Sequence, residues 1–263
     1  MRYDTIEFDA TDLVATITLH RPTAANALDA TMGRELSDAA QRCASDPKIR
    51  AVILTGAGKM FCAGGDVSAF LEHEDDLGNY IRALTQDLHA AIACLVRMDP
   101  PLITAVNGTA AGAGFSLSLI GDFVFAAQDA KFTQAYTGIG VSPDGGSTFF
   151  LPRLVGPLLA KRLVLRNEVL SAEEAKSLGL VSNVLPGDAL LAHARGVALE
   201  LAHGPTLAFG EARRLIADSF SHSLEAHLEC ESLAIAGLAG NTRDAREGMA
   251  AFRDKRKPEY RGE

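Results

Sequence analysis

Several kinds of chemistry are excluded by what this 263-residue sequence lacks. Cysteine is scarce: Cys43, Cys62, Cys94 and Cys230 are the four, and no two of them form a CxxC pair. Without that spacing, and with no cysteine–histidine cluster, no metal site is expected. The four read as reduced, mostly buried thiols of a cytoplasmic protein. Positive charge is in deficit: Lys and Arg number 25 against 33 Asp and Glu, for a net charge of −8. That balance speaks against a nucleic-acid partner. No apolar run is long enough to cross a bilayer, so no membrane partner is expected. The opening Met1-Arg2-Tyr3-Asp4 has none of the apolar character of a secretory signal. Internal repeats and low-complexity linkers are also missing.

The remaining composition is that of a globular protein with a sizeable core, 48% apolar and 22% charged. The length suits one large domain, or one domain with a helical appendage. Strands are expected at 14–19, 49–55, 102–106 and 123–127, and helices at 29–44, 79–98 and 112–120. The acidic Glu72-His73-Glu74-Asp75-Asp76 reads as a mobile loop. This strand–helix alternation implies an α/β fold. From about residue 187 the pattern becomes purely helical, with stretches at 188–203, 205–218, 222–238 and 242–257. Pro205 suits a first helical turn, and Gly204 and Gly240 suit helix stops. An α/β core at 1–195 and a helical region at 196–263 follow.

Two glycine-rich turns, each after an apolar strand, stand out. Ala51-Val52-Ile53-Leu54-Thr55-Gly56 runs into Phe61-Cys62-Ala63-Gly64-Gly65-Asp66, and Ile103-Thr104-Ala105-Val106-Asn107-Gly108 runs into Gly112-Ala113-Gly114-Phe115. Small side chains leave backbone N–H groups uncovered. Two such groups aimed at one point can hold the charge that develops on a carbonyl oxygen. At the second turn a helix start would add unpaired amides and a favourable dipole to the Ala113 N–H. Other readings fit less well. Gly112-x-Gly114-x-x-Leu117 lacks the third glycine of a dinucleotide-binding loop. Gly114-Phe115-Ser116-Leu117-Ser118 lacks the closing glycine of a nucleophile elbow. Glycines that merely permit tight turns would explain either segment alone.

A third loop, Gly138-Ile139-Gly140-Val141-Ser142-Pro143-Asp144-Gly145-Gly146-Ser147, carries a carboxylate between a proline and two glycines. Asp144 can be a turn residue or a helix cap. It can equally be a general base, if Ile139, Val141, Phe149 and Phe150 form an apolar pocket around it.

Taken together, Arg21-Pro22 with Asn26-Ala27-Leu28, the two glycine turns, Pro143-Asp144-Gly145-Gly146 and Phe252-Arg253-Asp254-Lys255-Arg256-Lys257-Pro258 make the chain resemble the crotonase superfamily (enoyl-CoA hydratase/isomerase) over essentially its full length. That resemblance implies a crotonase-like spiral of ββα units with a C-terminal helical region that mediates trimerisation, as a homotrimer or a hexamer built from two trimers. It implies an acyl-CoA thioester substrate, chemistry through a thioester enolate, and no cofactor beyond the coenzyme A of the substrate. The amides of Gly65 and Ala113 would be the oxyanion donors. Ala63 and Gly64 would line the coenzyme A path, and Ala24 would lie near its adenine end. Asp66 would cap the following helix. Lys255 and Lys257 would meet coenzyme A phosphates, unless the basic cluster is a solvated helix end.

Hydratases of the superfamily use two glutamates, and Ser116 and Tyr136 occupy the matching positions here. Neither side chain readily replaces a glutamate that activates water. Asp144 matches the single catalytic aspartate of superfamily members that isomerise enoyl-CoA double bonds or open rings in phenylacetate breakdown. Tyr136 would line the acyl pocket or hydrogen-bond Asp144, and Ser116 would contact the substrate. The expected activity is an enoyl-CoA isomerase, with 2-enoyl-CoA hydration as the alternative and a non-catalytic coenzyme A thioester binder behind both.

Overall fold

The computed structural model describes residues 3–263; the reading of the N-terminus as free of a signal falls partly on Met1 and Arg2, which lie outside the described residues. The described chain opens with an antiparallel hairpin of β1 (Ile6–Thr11) and β2 (Val14–Leu19). Helix α1 (Ala30–Ser45) follows, started by the Asp29 carboxylate, which accepts the Met32 N–H at 2.8 Å.

A repeating unit then begins. β3 (Ala51–Gly56) leads to β4 (Met60–Cys62), then to α2 (Val67–Glu72) and α3 (Leu77–Arg97). β5 (Leu102–Val106) leads to β6 (Thr109–Ala111) and α4 (Ala113–Ser118). β7 (Phe123–Ala127) leads to β8 (Lys131–Thr133) and α5 (Ser147–Arg166). The first strand of each pair joins a six-stranded sheet, completed after β9 (Leu170–Ser171) and α6 (Ala172–Ser177) by β10 (Asn183–Leu185). Its order is β1-β2-β3-β5-β7-β10. The second strand of each pair joins a smaller sheet of order β4-β6-β8-β9. This is the expected spiral of ββα units. The smaller sheet has no counterpart among the strands expected from sequence, because its members are two or three residues long and carry no readable alternation.

β3 and β5 are buried along nearly their whole length. They therefore read as continuous apolar runs, as parallel strands covered on both faces do. Helix α7 (Leu190–Ala202) packs on β2, β3, β5 and β7, while α1 and α3 pack on one another. Leu36, Leu54, Leu88, Leu95 and Leu102 are among the large side chains fully enclosed.

Three local expectations need correction. Glu72 to Asp76 is not an open loop: Glu72 ends α2, and Glu74–Asp76 forms a 3-10 turn. The Asp76 N–H donates to the His73 carbonyl at 3.0 Å, and the His73 ring stacks on Tyr80 at 4.0 Å, which orders the segment. Gly240 does not stop a helix. It lies inside α9 (Leu224–Asn241), and the break comes at Thr242, whose hydroxyl accepts the Ala245 N–H to start α10 (Arg243–Asp254). Pro205 stands one residue before α8 (Thr206–Asp218) rather than within it. Along α9 and α10, Leu224, Leu228, Leu233, Ile235 and Phe252 are exposed.

Candidate active site

Because β4, β6 and β8 are neighbours in the smaller sheet, the loops that leave them stand side by side. Those loops carry Ala63-Gly64-Gly65, Gly112-Ala113 and Ala135-Tyr136 onward to Asp144. Together they line a cavity of about 450 Å³, which also meets Phe70 of α2, Leu84, Leu88 and His89 of α3, and Ile139 and Val141.

The first loop is pinned from below. Asn26 is fully buried; its Oδ1 accepts the Arg21 N–H at 2.9 Å, and its Nδ2 donates to the carbonyls of Ala57 and Met60 at 2.8 and 2.7 Å. The Ala63 and Asp66 N–H groups donate to the Ala25 and Leu28 carbonyls. The Gly64 N–H reaches the Cys62 sulfur at 3.4 Å. The Gly65 N–H has no acceptor among the described residues, and it lies in the cavity wall. Asp66 accepts the Ser68 and Ala69 N–H groups at the start of α2 and pairs with Arg21 at 2.9 Å. Cys62 is no nucleophile here. Burial pushes its thiol up to about 12, so it stays protonated at neutral pH.

In the second loop the Gly112 N–H donates to the Thr133 carbonyl at 3.1 Å, which ties this loop to the third. Ala113 is the first residue of α4 and its N–H, like that of Gly65, has no acceptor among the described residues. Gly114 must be glycine, because a Cβ there would collide with the Cys62 carbonyl.

The third loop holds the carboxylate. Asp144 does not cap α5, whose cap residue is Gly146 with no side-chain bond. Instead its Oδ1 accepts the Tyr136 hydroxyl at 2.6 Å. The Ser116 hydroxyl lies 2.9 Å from the Tyr136 oxygen and donates to the Asp144 carbonyl, also at 2.9 Å. Burial first, and then the Asp144 carboxylate, push the Tyr136 phenol well above its usual range. Tyr136 therefore keeps its proton as a donor. Gly145 has φ +60°, and a Cβ there would sit 2.8 Å from the Ser116 Cβ. Both its conformation and its neighbour require glycine.

Eight of the sequence-derived positions meet in this cavity: Ala63, Gly64, Gly65, Ala113, Tyr136, Ile139, Val141 and Asp144. Ser116 does not reach it; it is fully buried beneath Tyr136 and touches that ring's hydroxyl instead of open space. Ala24 ends a 3-10 turn (Pro22–Ala24) and is not part of the cavity wall. Lys255 lies beyond α10 in a left-handed conformation, φ 53°, and is also outside the wall. In its basic cluster Arg253 pairs with Asp254 and Arg256 with Glu247, while Lys255 and Lys257 form no ion pair among the described residues. Phe149 and Phe150 line a neighbouring cavity, not that of Asp144, because α5 turns them to the far side of Gly145. No group of three or more His, Cys, Asp or Glu is placed to hold a metal among the described residues. Nor is any helix of the described residues long and apolar enough to cross a membrane.

Over residues 9–263 the sequence matches the family described as enoyl-CoA hydratase/isomerase. The chain belongs to the enoyl-CoA hydratase/isomerase family. As such it is an enzyme that acts on acyl-CoA thioesters. This family member is 40% identical over 263 residues, all of both chains, to a Rhodobacter capsulatus protein that bears the name probable enoyl-CoA hydratase. It is 37% identical over 255 residues, 95% of both chains, to the 1,2-epoxyphenylacetyl-CoA isomerase of Escherichia coli. Its fold matches the crystal structure of an enoyl-CoA hydratase from Bacillus anthracis with a TM-score of 0.91, at 35% identity over 99% of this chain and 100% of that one.

The sequence reading of this family member missed the wall contributed by α2 and α3. Ile81, Leu84, Thr85, Leu88 and His89 fall on one side of α3 at three- and four-residue spacing. That pattern was visible as an amphipathic stripe, but nothing in it separated core residues from cavity residues.

Proposed function

We propose that this enzyme isomerises enoyl-CoA thioesters, moving a double bond or rearranging a ring-bearing acyl group, with Asp144 as the proton shuttle. The observation that carries the reading is that Asp144 is the only carboxylate in the cavity wall among the described residues. Tyr136 holds its Oδ1, which leaves Oδ2 to take a proton from the carbon next to the thioester. The electron pair of that C–H bond moves into the thioester, and the charge gathers on its carbonyl oxygen. The unpaired Gly65 and Ala113 amides are the donors for that oxygen. Asp144 then returns the proton two carbons away, and the thioester carbonyl re-forms. One oxyanion donor is worth about 100- to 1000-fold in rate, and general acid–base assistance about 100- to 10,000-fold. One base and two amides therefore suffice for this transfer, with no activated water.

Other parts of the proposal have separate support. Ala63 and Gly64 lie in the wall, as a coenzyme A path requires, and unpaired Lys255 suits a phosphate contact. Ala24 remains assigned to the adenine end. Assembly of the helical region into a trimer or hexamer draws support from the exposed Leu224, Leu228, Leu233 and Ile235 of α9; the proposed division at 195/196 falls within α7, which packs on the sheet. The four unpaired cysteines accord with a reducing, cytoplasmic setting.

The test is Asp144→Asn assayed on 3-enoyl-CoA, dienoyl-CoA and ring-epoxide thioesters. Isomerisation should fall by about 100-fold or more; undiminished turnover would overturn the reading. Hydration of a 2-enoyl-CoA is the second reading, favoured by the hydratase name of the Rhodobacter relative. Rapid hydration of crotonyl-CoA that disappears in Asp144→Asn, with no isomerisation by the wild type, would replace the first reading by the second.

A further inference from the structure

His89 is the one described residue that faces both the reaction cavity and a second cavity, of about 420 Å³, walled by Ile92, Val96, Phe149 and Phe150. Its Nε2 accepts the Gly145 N–H at 3.2 Å. A backbone amide can only donate, so Nε2 carries no proton and the neutral ring is protonated at Nδ1. The ring thus aims a lone pair at the turn that bears Asp144. The same Nε2 lies 3.6 Å from Asp144 Oδ2, the oxygen that Tyr136 leaves free. That separation is longer than a hydrogen bond, and a small ring rotation closes it. With its side chain 51% exposed, the imidazole also has direct access to solvent. The other charged groups of the second cavity are committed elsewhere. Arg97 lies 3.6 Å from Asp218, and Arg214 pairs with Asp99 and Glu211 at 2.7 and 2.5 Å. Asp144 is the carboxylate left to face His89.

We propose that His89 is a positioning residue that exchanges the proton carried by Asp144 with solvent. The inference rests on the reading of Asp144 as the proton shuttle. Once Asp144 has taken a proton from the acyl chain, the proton passes from Oδ2 to Nε2. The carboxylate is restored and the ring becomes an imidazolium, which gives that proton to water, takes a solvent proton in its place and returns it through Nε2 to Oδ2, so that Asp144 is again the acid that protonates the enolate. During that stage the Gly145 N–H has no acceptor, and the restored Asp144 carboxylate stands beside the ring. Asp144 therefore works at a fork. It returns its proton to the acyl chain, or it loses it through His89, and His89 sets the ratio.

The experiment follows a 3-enoyl-CoA in D2O, counting by mass spectrometry and NMR the deuterium gained at C2 of recovered substrate and at C4 of product, per turnover. Exchange at C2 needs only the enolate, so it is read even where net isomerisation is slow. His89→Gln keeps an oxygen that can accept the Gly145 N–H but carries no titrating proton. Its deuterium per turnover should fall about tenfold relative to wild type, as a positioned acid–base route is lost and direct exchange with water remains. His89→Ala should show the same loss, reversed by added imidazole. Unchanged deuterium per turnover in both variants overturns the role of His89. The ratio is internal to each turnover, so a variant that folds in lower yield still reports it. Asp144→Asn separates the two readings. Persistent C2 exchange in that variant, or a wild type that neither exchanges nor isomerises, overturns the role of Asp144 itself.

Discussion

Tyr136 Oη stands 2.6 Å from Asp144 Oδ1 and 2.9 Å from Ser116 Oγ. Ser116 and Tyr136, the positions that the resemblance matches to hydratase glutamates, thus form the hydroxyl pair that supports the third-loop carboxylate. The buried phenol donates, the carboxylate accepts, and Ser116 braces both from beneath, through the Tyr136 oxygen and the Asp144 carbonyl.

Removing that donor should cost activity without collapsing the fold. Tyr136→Phe keeps the ring and loses one hydrogen bond to a charged group, worth about 1.5–3 kcal/mol. We expect kcat for isomerisation to fall by about 10- to 100-fold with KM little changed. Steady-state kinetics on a 3-enoyl-CoA decide it. A kcat equal to that of the wild type would mean that Tyr136 only fills space.

The same tyrosine gives a stability signature at alkaline pH. Its phenol is raised in the folded protein above the ordinary value of about 10, by burial first and Asp144 second. The unfolded chain loses that proton earlier, so ionisation favours unfolding. The contribution of Tyr136 is fully present below about pH 10 and fades as pH rises beyond it. The urea midpoint of the wild type should therefore hold its lead over Tyr136→Phe up to about pH 10 and drop toward it between about pH 10 and pH 12. A gap that stays constant or widens contradicts the assignment.

Ala113→Pro tests the proposed second oxyanion donor at its backbone. Residue 113 is the first of α4, where proline is tolerated because its missing N–H had no helical partner. The substitution should lower kcat by about 100- to 1000-fold while thermal unfolding stays near that of wild type. Ala113→Gly, which keeps the N–H, serves as the control. Equal activity in the proline variant would remove this amide from the mechanism.

Asn26 offers a test far from any reacting atom. Asn26→Ala leaves the partly buried Ala57 carbonyl without its side-chain donor and the Met60 carbonyl with only the Asn107 Nδ2 at 3.3 Å. A loss of about 1–3 kcal/mol is expected in urea unfolding. Because the same side chain pins the strand pair that ends in Gly65, kcat should fall as well. Loss of stability with intact kcat would show that the Gly65 loop is held without it.

Much of this was readable from the letters, and the parts that were not have physical reasons. α3 is long and amphipathic, and β3 and β5 are unbroken apolar runs between turn residues, so their places followed from the letters. The Asp66 cap followed from the family resemblance, and Asp66 indeed spends both carboxylate oxygens on α2 and Arg21; Asp29, expected within the first helix, instead caps it. The smaller sheet was hidden because three-residue strands carry no period. Phe149 and Phe150 were misplaced because sequence adjacency to Asp144 says nothing about which side of a glycine turn a helix will take. His89 was missed because a half-exposed histidine on an amphipathic helix looks like any polar face residue until a separate loop folds against it.

The smaller sheet has a consequence for how such a site can change over time. Its adjacent strands β4, β6 and β8 fix three loops in a row, each anchored by main-chain bonds that most substitutions leave intact. Two of the loops contribute backbone N–H groups, which survive almost any change of side chain. The third contributes a side chain, and so does the ring that holds it. Descent with modification can therefore rewrite the side chains at Ser116, Tyr136, Asp144 and His89, and with them the proposed proton chemistry, while the two backbone amides proposed to hold an enolate are inherited unaltered.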